Sequence, residues 1–162
     1  MINIRPARAT DTATILSMIR ALAEYERLLP AVTATETELG EALFGSAPTI
    51  HAILAETQDA PVGIAIFYYT FNTFKARRNI FLEDLFVVPA HRGTGTGLAL
   101  MRYLAEIAVA KSCARIEWRV LNWNQPAIDF YHRLGAEPID HWHTLLLGGD
   151  ALVSLAKGTS HG

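Results

Sequence analysis

The run Arg92-Gly93-Thr94-Gly95-Thr96-Gly97 carries the clearest chemistry in the chain. Glycine at alternate positions lets the backbone approach an anion with no Cβ in the way. The run lies between an apolar, strand-like segment and an amphipathic helical one. A helix start presents unpaired N–H groups and a partial positive charge. Arg92 adds a fixed cation, so the spacing predicts a pyrophosphate cradle rather than an ordinary glycine-rich connection. A dinucleotide fingerprint reads G-x-G-x-x-G, whereas this run reads G-x-G-x-G. Glu117 stands where a ribose-binding acid would, which makes a nicotinamide-dependent oxidoreductase a rival reading. Position argues against it, because a dinucleotide turn follows the first strand of its unit and several strands precede this one. Gly97-Leu98 also lacks the Lys-Ser or Lys-Thr of a P-loop.

Other reactive types form weaker groupings. Cys113 is the lone cysteine, set between Ser112 and Ala114 at a helix-to-strand junction, and reads as a packing residue rather than a nucleophile. It excludes an internal disulfide and, with no signal peptide at the start, fits a cytoplasmic protein. His141 and His143 with Asp140 have metal-like spacing but too few converging ligands, so no metal is expected. Lys75, Arg77 and Arg78 read as a solvated basic run. The chain has 162 residues, 51% hydrophobic and 19% charged, with net charge -2. That supports one core in one domain and supplies no basic footprint for nucleic acid. No apolar run approaches the ~20 residues of a membrane span.

These residues need a scaffold. Ile2 and Ile4 alternate with Asn3 and Arg5 as a first strand. A helix from about Thr10 carries Ile15, Met18, Ile19, Leu22 and Ala23 on one stripe. Thr35 and Glu38 form a capping box for a second helix, which Gly45 stops. Strands follow at 49–56, 62–71 and 80–88, with a turn at Asp59-Ala60-Pro61 and a polar connection over 72–79. Short turns imply antiparallel pairing. After the glycine turn comes a helix bearing Leu98, Met101, Leu104, Ala105 and Ala108, then a strand over 115–120, a right-handed crossover. Asn124 caps another helix, with Pro126 in its first turn and Gly135 at its end. Two last strands are expected over 137–147 and 151–156, turning at Gly148-Gly149-Asp150. The prediction is an α+β fold over 1–157, a mixed, mostly antiparallel sheet with helices on both faces, and a frayed tail over 158–162.

Arg92-Gly93-x-Gly95-x-Gly97 resembles the acyl-CoA pyrophosphate loop of the GNAT acetyltransferases. Phe81-Leu82-Glu83-Asp84-Leu85-Phe86-Val87, Trp123-Asn124-Gln125-Pro126, Phe130-Tyr131-x-x-x-Gly135-Ala136 and Ala23-Glu24-Tyr25-Glu26 resemble the spermidine/spermine and thialysine N-acetyltransferase branch. The similarity runs to about Leu155. It implies the GNAT fold, acetyl-CoA as co-substrate, a small-molecule amine as acceptor and a homodimer. By that resemblance the pantetheine arm pairs with Leu85, Phe86 and Val87. The pyrophosphate sits on Gly93, Thr94, Gly95, Thr96, Gly97 and Leu98 beside Arg92. Asn124, Pro126, Ala127, Tyr131 and Arg133 also meet the cofactor. Glu83 faces the amine, and Tyr25 and Glu26 line the acceptor pocket with Asn72 and Phe74.

An alkylamine of pKa near ~10.4 is protonated at neutral pH, so a base must take its proton before it can attack. Glu83 is the candidate, as base or as binder of the cation. Alternation puts it on a face with Phe81, Leu85 and Val87, where apolar neighbours raise a carboxyl pKa. Backbone N–H groups near Leu85 to Val87 can steady the oxyanion. Tyr131 is the candidate acid for the leaving thiolate. Asp84, on the opposite face by alternation, reads as structural. The diamine enzymes carry an acid and a tryptophan where this chain has Asn72-Thr73-Phe74 and a basic run. A polycation is repelled there, so a lysine-like or thialysine-like amine is expected ahead of polyamines. Asp140 is the candidate for a last acceptor-binding acid. A CoA-binding regulator without catalysis is the reading from another class, and the presence of Glu83 and Tyr131 argues against it.

Overall fold

The computed structural model describes residues 1–58 and 60–158. Asp59 of the expected turn, and the expected frayed tail after Gly158, lie outside the described residues. The chain divides into two compact units, Met1–Leu121 and Asn122–Gly162.

The first unit holds a five-stranded sheet in the order β1-β2-β3-β4-β5. The strands are β1 Asn3–Pro6, β2 His51–Glu56, β3 Pro61–Asn72, β4 Arg77–Val87 and β5 Ile116–Trp118. The first four pair antiparallel, and β4 pairs parallel with β5. The helices are α1 Thr12–Tyr25, α2 Glu36–Phe44 and α3 Thr96–Ala110, and α3 forms the crossover.

Period-2 alternation divides the apolar residues between two faces. Ala52, Leu54, Ile64, Ile66 and Phe86 pack against Ile15, Leu16, Met18, Leu39 and Leu43 of α1 and α2. Ile53, Ala65, Ile80 and Leu82 are buried on the other face, and Leu100 and Leu104 of α3 are fully buried. Gly63 marks where α3 meets the sheet. A Cβ there would stand 3.1 Å from the Phe86 carbonyl oxygen, 3.2 Å from Leu100 Cδ1 and 3.4 Å from Thr96 Cγ2. Only glycine lets the start of α3 settle this close.

Local signals behave as their chemistry dictates. Thr35 N–H donates to Glu38 Oε2 at 2.9 Å, and Glu38 N–H donates to Thr35 Oγ1 at 3.2 Å. Arg5 on β1 donates to both Asp11 oxygens at 2.7 and 3.0 Å and also pairs with Glu56 of β2. That pairing ties β1, the entry to α1 and β2 together and holds the Asp11 carboxyl below its usual range.

The β3–β4 connection is shorter than the expected 72–79. Asn72 Oδ1 accepts the Lys75 N–H at 3.1 Å, Ala76 adopts φ 48, and β4 resumes at Arg77. An Asx-type turn closes the hairpin early, so Arg77 and Arg78 sit on a strand.

In the second unit α4 is Gln125–Arg133. Asn124 caps it, accepting the Ala127 N–H at 3.4 Å, and Gly135 follows its end with φ 86. The two expected last strands do not form. Residues 137–147 pair with no strand, and Gly149–Ala156 is a helix, α5. Gly148-Gly149-Asp150 is therefore a helix entry, with Asp150 in the first turn, rather than a hairpin. The run Ala151–Ala156 has no polar alternation, and a short apolar run fits helix and strand equally. Alanine and leucine, with an acid at the N-terminus, favour the helix.

Candidate active site

The glycine turn is shaped by backbone rather than by packing. Gly93 and Gly95 have φ 75 and 89, in the left-handed region, and a Cβ on either would meet nothing within 4 Å. Glycine is thus required by conformation, and the space beside the turn is open. Gly95 precedes α3 with no side-chain cap, and the first helical bond is Ala99 N–H to Gly95 O at 2.9 Å. The amides of Thr96, Gly97 and Leu98 fall before that bond. Thr94 Oγ1 donates to His91 O at 2.7 Å and lies 3.0 Å from Thr96 Oγ1, which stiffens the turn. Uncapped amides at a positive helix end beside glycines fit a diphosphate.

The strand leading into this turn outruns its neighbour. β4 pairs with β5 only through Ile80↔Ile116, Phe81↔Glu117 and Leu82↔Trp118. Leu85, Phe86 and Val87 pair with Ala65, Ile64 and Gly63 of β3. Among the described residues no strand lies against the other edge of β4 beyond Leu82. That edge offers backbone donors and acceptors of the kind an extended amide-bearing arm uses.

The register of β3 and β4 shifts between Ile66 and Phe67. Ile66 faces Asp84, Phe67 faces Leu82, and Glu83 stands opposite no residue. This is a β-bulge, and it suspends alternation. Asp84 joins the face of its partner Ile66, beneath α1 and α2, rather than the face opposite Glu83 that strict alternation predicts. Asp84 is therefore not a remote structural acid. Burial, then the charges of Glu83 and Glu26, push its pKa up to about 6. Glu26, just past the end of α1, is itself raised by burial. Tyr68, two residues after Ile66, stacks on Phe81 with ring centroids 5.3 Å apart. Burial and the charge and hydrogen bonding of Glu83 push the Tyr68 hydroxyl up, with Arg119 opposing. Glu26, Glu83 and Asp84 thus gather on one face above an aromatic floor. Strict alternation missed Asp84 and Tyr68. The signal available was two adjacent acids within an apolar strand, a pattern that alternation cannot seat.

Arg92 stands at the ring of Phe86, on the same face. Its guanidinium lies 4.8 Å from the Tyr25 ring centroid and 5.7 Å from that of Phe86, and Nε donates to Val87 O at 3.0 Å. Tyr25, Glu26, Phe86 and Arg92 are thereby brought to the same end of the sheet. Asn72 and Phe74 lie at the β3–β4 hairpin, where Phe74 is fully exposed. Arg78 lies 5.4 Å from the Tyr69 centroid and borders an open cavity of about 340 Å³ with His51, Tyr69 and Phe71. That cavity is at the opposite end of β4 from the glycine turn.

In the second unit Asn124 is buried, and its Oδ1 accepts the Ala127 N–H at the start of α4. Pro126 and Ala127 form the first turn of α4, and Arg133 ends it. Tyr131 is half-buried, its ring centroid 5.2 Å from that of Phe130. Burial pushes the Cys113 thiol up, which disfavours a thiolate nucleophile. Among the described residues no three His, Cys, Asp or Glu side chains could together hold a metal ion. His141 and His143 lie on no strand. No described helix is long and apolar enough to cross a membrane.

Comparison with known proteins identifies the family. Residues 16–136 match the acetyltransferase (GNAT) family. The thialysine N-epsilon-acetyltransferase of Bos taurus is 38% identical over 166 residues, covering 96% of this chain and 97% of that protein. The spermidine/spermine N(1)-acetyltransferase-like protein 1 of Homo sapiens is 31% identical, covering 95% of this chain and 24% of that protein. The solved structure of an integron cassette protein from the mobile metagenome of V. cholerae superposes with TM-score 0.80 at 28% identity, over 96% of this chain and 98% of that one. An anion-ready glycine turn, an α+β sheet with one parallel crossover and relatives of this kind lead to one assignment: the chain is an N-acetyltransferase of the GNAT family, in the branch of the thialysine and spermidine/spermine acetyltransferases.

Proposed function

We propose that this enzyme moves an acetyl group from acetyl-CoA onto the terminal amine of a lysine-like or thialysine-like small molecule, by direct attack in a ternary complex. The observation that carries this is the carboxylate trio Glu26, Glu83 and Asp84, with Asp84 raised to about 6, on the face reached by Arg92 of the glycine turn. When bound, acetyl-CoA supplies an activated thioester carbonyl. Gly93 to Leu98 and Arg92 would hold its diphosphate, and Leu85 to Val87 its arm; Asn124, Pro126, Ala127 and Arg133 are the further contacts that the resemblance implies.

The chain's own residues then do three things. The trio binds the acceptor as an ammonium, since a cation gains most where several carboxylates meet. A carboxylate of Glu83 or Asp84 takes the amine's proton. One whose pKa is near 6 is well matched to neutral pH. Tyr131 gives a proton to the leaving sulfur, a step only modestly uphill from a reference pKa of ~10 to one of ~8.5. Tyr25 completes the acceptor side of this reading, while Asn72 and Phe74 stand at the hairpin end of β4.

The named relatives that act on thialysine support the acceptor class. So does the run Lys75, Arg77 and Arg78, whose charge opposes a polycation. The family match, over residues 16–136, crosses the boundary between the compact units, which supports residues 1–157 working as one catalytic domain. A homodimer in the cytoplasm completes the reading, and sedimentation at several concentrations tests the dimer. Isothermal calorimetry with acetyl-CoA, followed by a radiolabel screen over thialysine, lysine, diamines and polyamines, tests the function. No heat with acetyl-CoA removes the co-substrate. Spermine as the best acceptor replaces the lysine-like reading with a polyamine one.

A further inference from the structure

The strand that carries Glu83 also meets a cation with no carboxylate partner. Arg115, just before β5, pairs with Glu117 of that strand at 2.6 Å. Just past the end of β5 stands Arg119. Among the described residues no carboxylate comes within ion-pair distance of it. Its guanidinium lies 5.2 Å from the centroid of Phe81, the ring that stacks on Tyr68. Phe81 is paired with Tyr68 on one side and Glu117 on the other. Tyr68 in turn engages Glu83. The two rings therefore form a floor that an acid meets at Tyr68 and an exposed arginine meets at Phe81.

A plain diamine does not suit such a floor. One ammonium would meet Glu83, while the other would approach Arg119 and be repelled. An α-amino acid with a terminal amine suits it at both ends. Its ammonium meets the acids, its apolar stem lies on the rings, and its carboxylate meets a planar, permanently charged fork. Lysine's four-carbon stem leaves its own two charges well separated.

We propose that Arg119 is the carboxylate-recognising residue of the acceptor site, selecting α-amino acids with a terminal amine over the corresponding decarboxylated diamines. This rests on the acceptor reading above and adds the residue that decides within it.

The test is a pairwise comparison on the full chain. kcat/KM is measured for lysine against cadaverine and for thialysine against its decarboxylated diamine, in wild type, Arg119→Gln and Arg119→Lys. Arg119 is exposed, and thermal melts check that each variant is folded. The wild type should favour the amino acid of each pair. In Arg119→Gln the amino-acid-to-diamine ratio should fall by roughly tenfold or more, the scale of one charge-assisted contact. The shift should come through KM, with the diamine gaining as repulsion is removed. Arg119→Lys should recover part of the ratio, because it keeps the charge and loses the fork. A ratio that Arg119→Gln leaves unchanged overturns the role of Arg119 while the amine acceptor stands. A wild type that acetylates neither member of either pair overturns both.

Discussion

Arg92 lies over the ring of Tyr25, with 4.8 Å between the guanidinium carbon and the ring centroid. One cation thus belongs to the glycine turn by sequence and to the end of α1 by contact. Arg92→Ala is expected to raise KM for both acetyl-CoA and the amine, each by on the order of tenfold, since it removes a charge and a stacked plane. Arg92→Lys should restore the acetyl-CoA side better than the amine side, because an ammonium cannot stack as a guanidinium does. Steady-state kinetics with each substrate varied in turn read the two effects separately.

Asp84 makes an opposite prediction for stability and for rate. Burial and the charges of Glu83 and Glu26 raise its pKa from the ordinary carboxylate range to about 6. The folded state therefore holds a proton that the unfolded chain releases at lower pH. That contribution to stability is complete below about pH 4 and is lost as pH rises through 6. Asp84→Asn cannot ionise and escapes the loss. It should melt higher than wild type at pH 7.5, by roughly 1–3 kcal/mol or a few degrees, and no higher at pH 4. Its kcat should fall on the order of a hundredfold. The wild-type rate should climb with pH through an apparent pKa near 6, and that limb should be altered in the variant.

Backbone conformation can be separated from ligand contact at the turn. Gly95→Ala forces an alanine to φ 89, a cost of roughly 1–2 kcal/mol. It should also weaken acetyl-CoA binding, because a methyl group would stand in the open space of the cradle. Gly135→Ala bears a similar backbone cost at φ 86, also with nothing within 4 Å, and should spare that affinity. Calorimetric titration beside thermal melts distinguishes the two. Equal affinity in both variants would remove the turn from the diphosphate site.

Tyr131→Phe keeps the ring that packs beside Phe130 and removes only the hydroxyl. Turnover should drop at least tenfold with acetyl-CoA affinity unchanged. Full turnover would dismiss Tyr131 as the acid.

What the sequence disclosed was whatever is settled locally. The glycine turn, the Thr35–Glu38 box, the Asn124 cap and the stop at Gly135 depend on residues a few positions apart, and the spacing shows them. Sheet order followed from turn lengths and one crossover. The bulge at Glu83 did not, because register belongs to a pair of strands and β4 alone cannot reveal which residue loses its partner. Asp84 was misassigned for that reason. Arg119 was hidden similarly: its meaning comes from Phe81, nearly forty residues earlier in the chain, through a parallel pairing. The last segment failed differently. Ala151–Ala156 is apolar without a period, and its helix comes from propensity and an acid at the entry, not from the hairpin its glycines suggested.

The unequal lengths of β4 and β5 bear on handling of the protein. A stretch of strand edge with no strand beside it is a template for self-association. Occupancy by a co-substrate arm along Leu85 to Val87 would act as a removable surrogate for the missing neighbour. Preparations kept with CoA should then stay clear on storage and warming longer than stripped ones, with a margin that grows with ligand concentration as mass action requires.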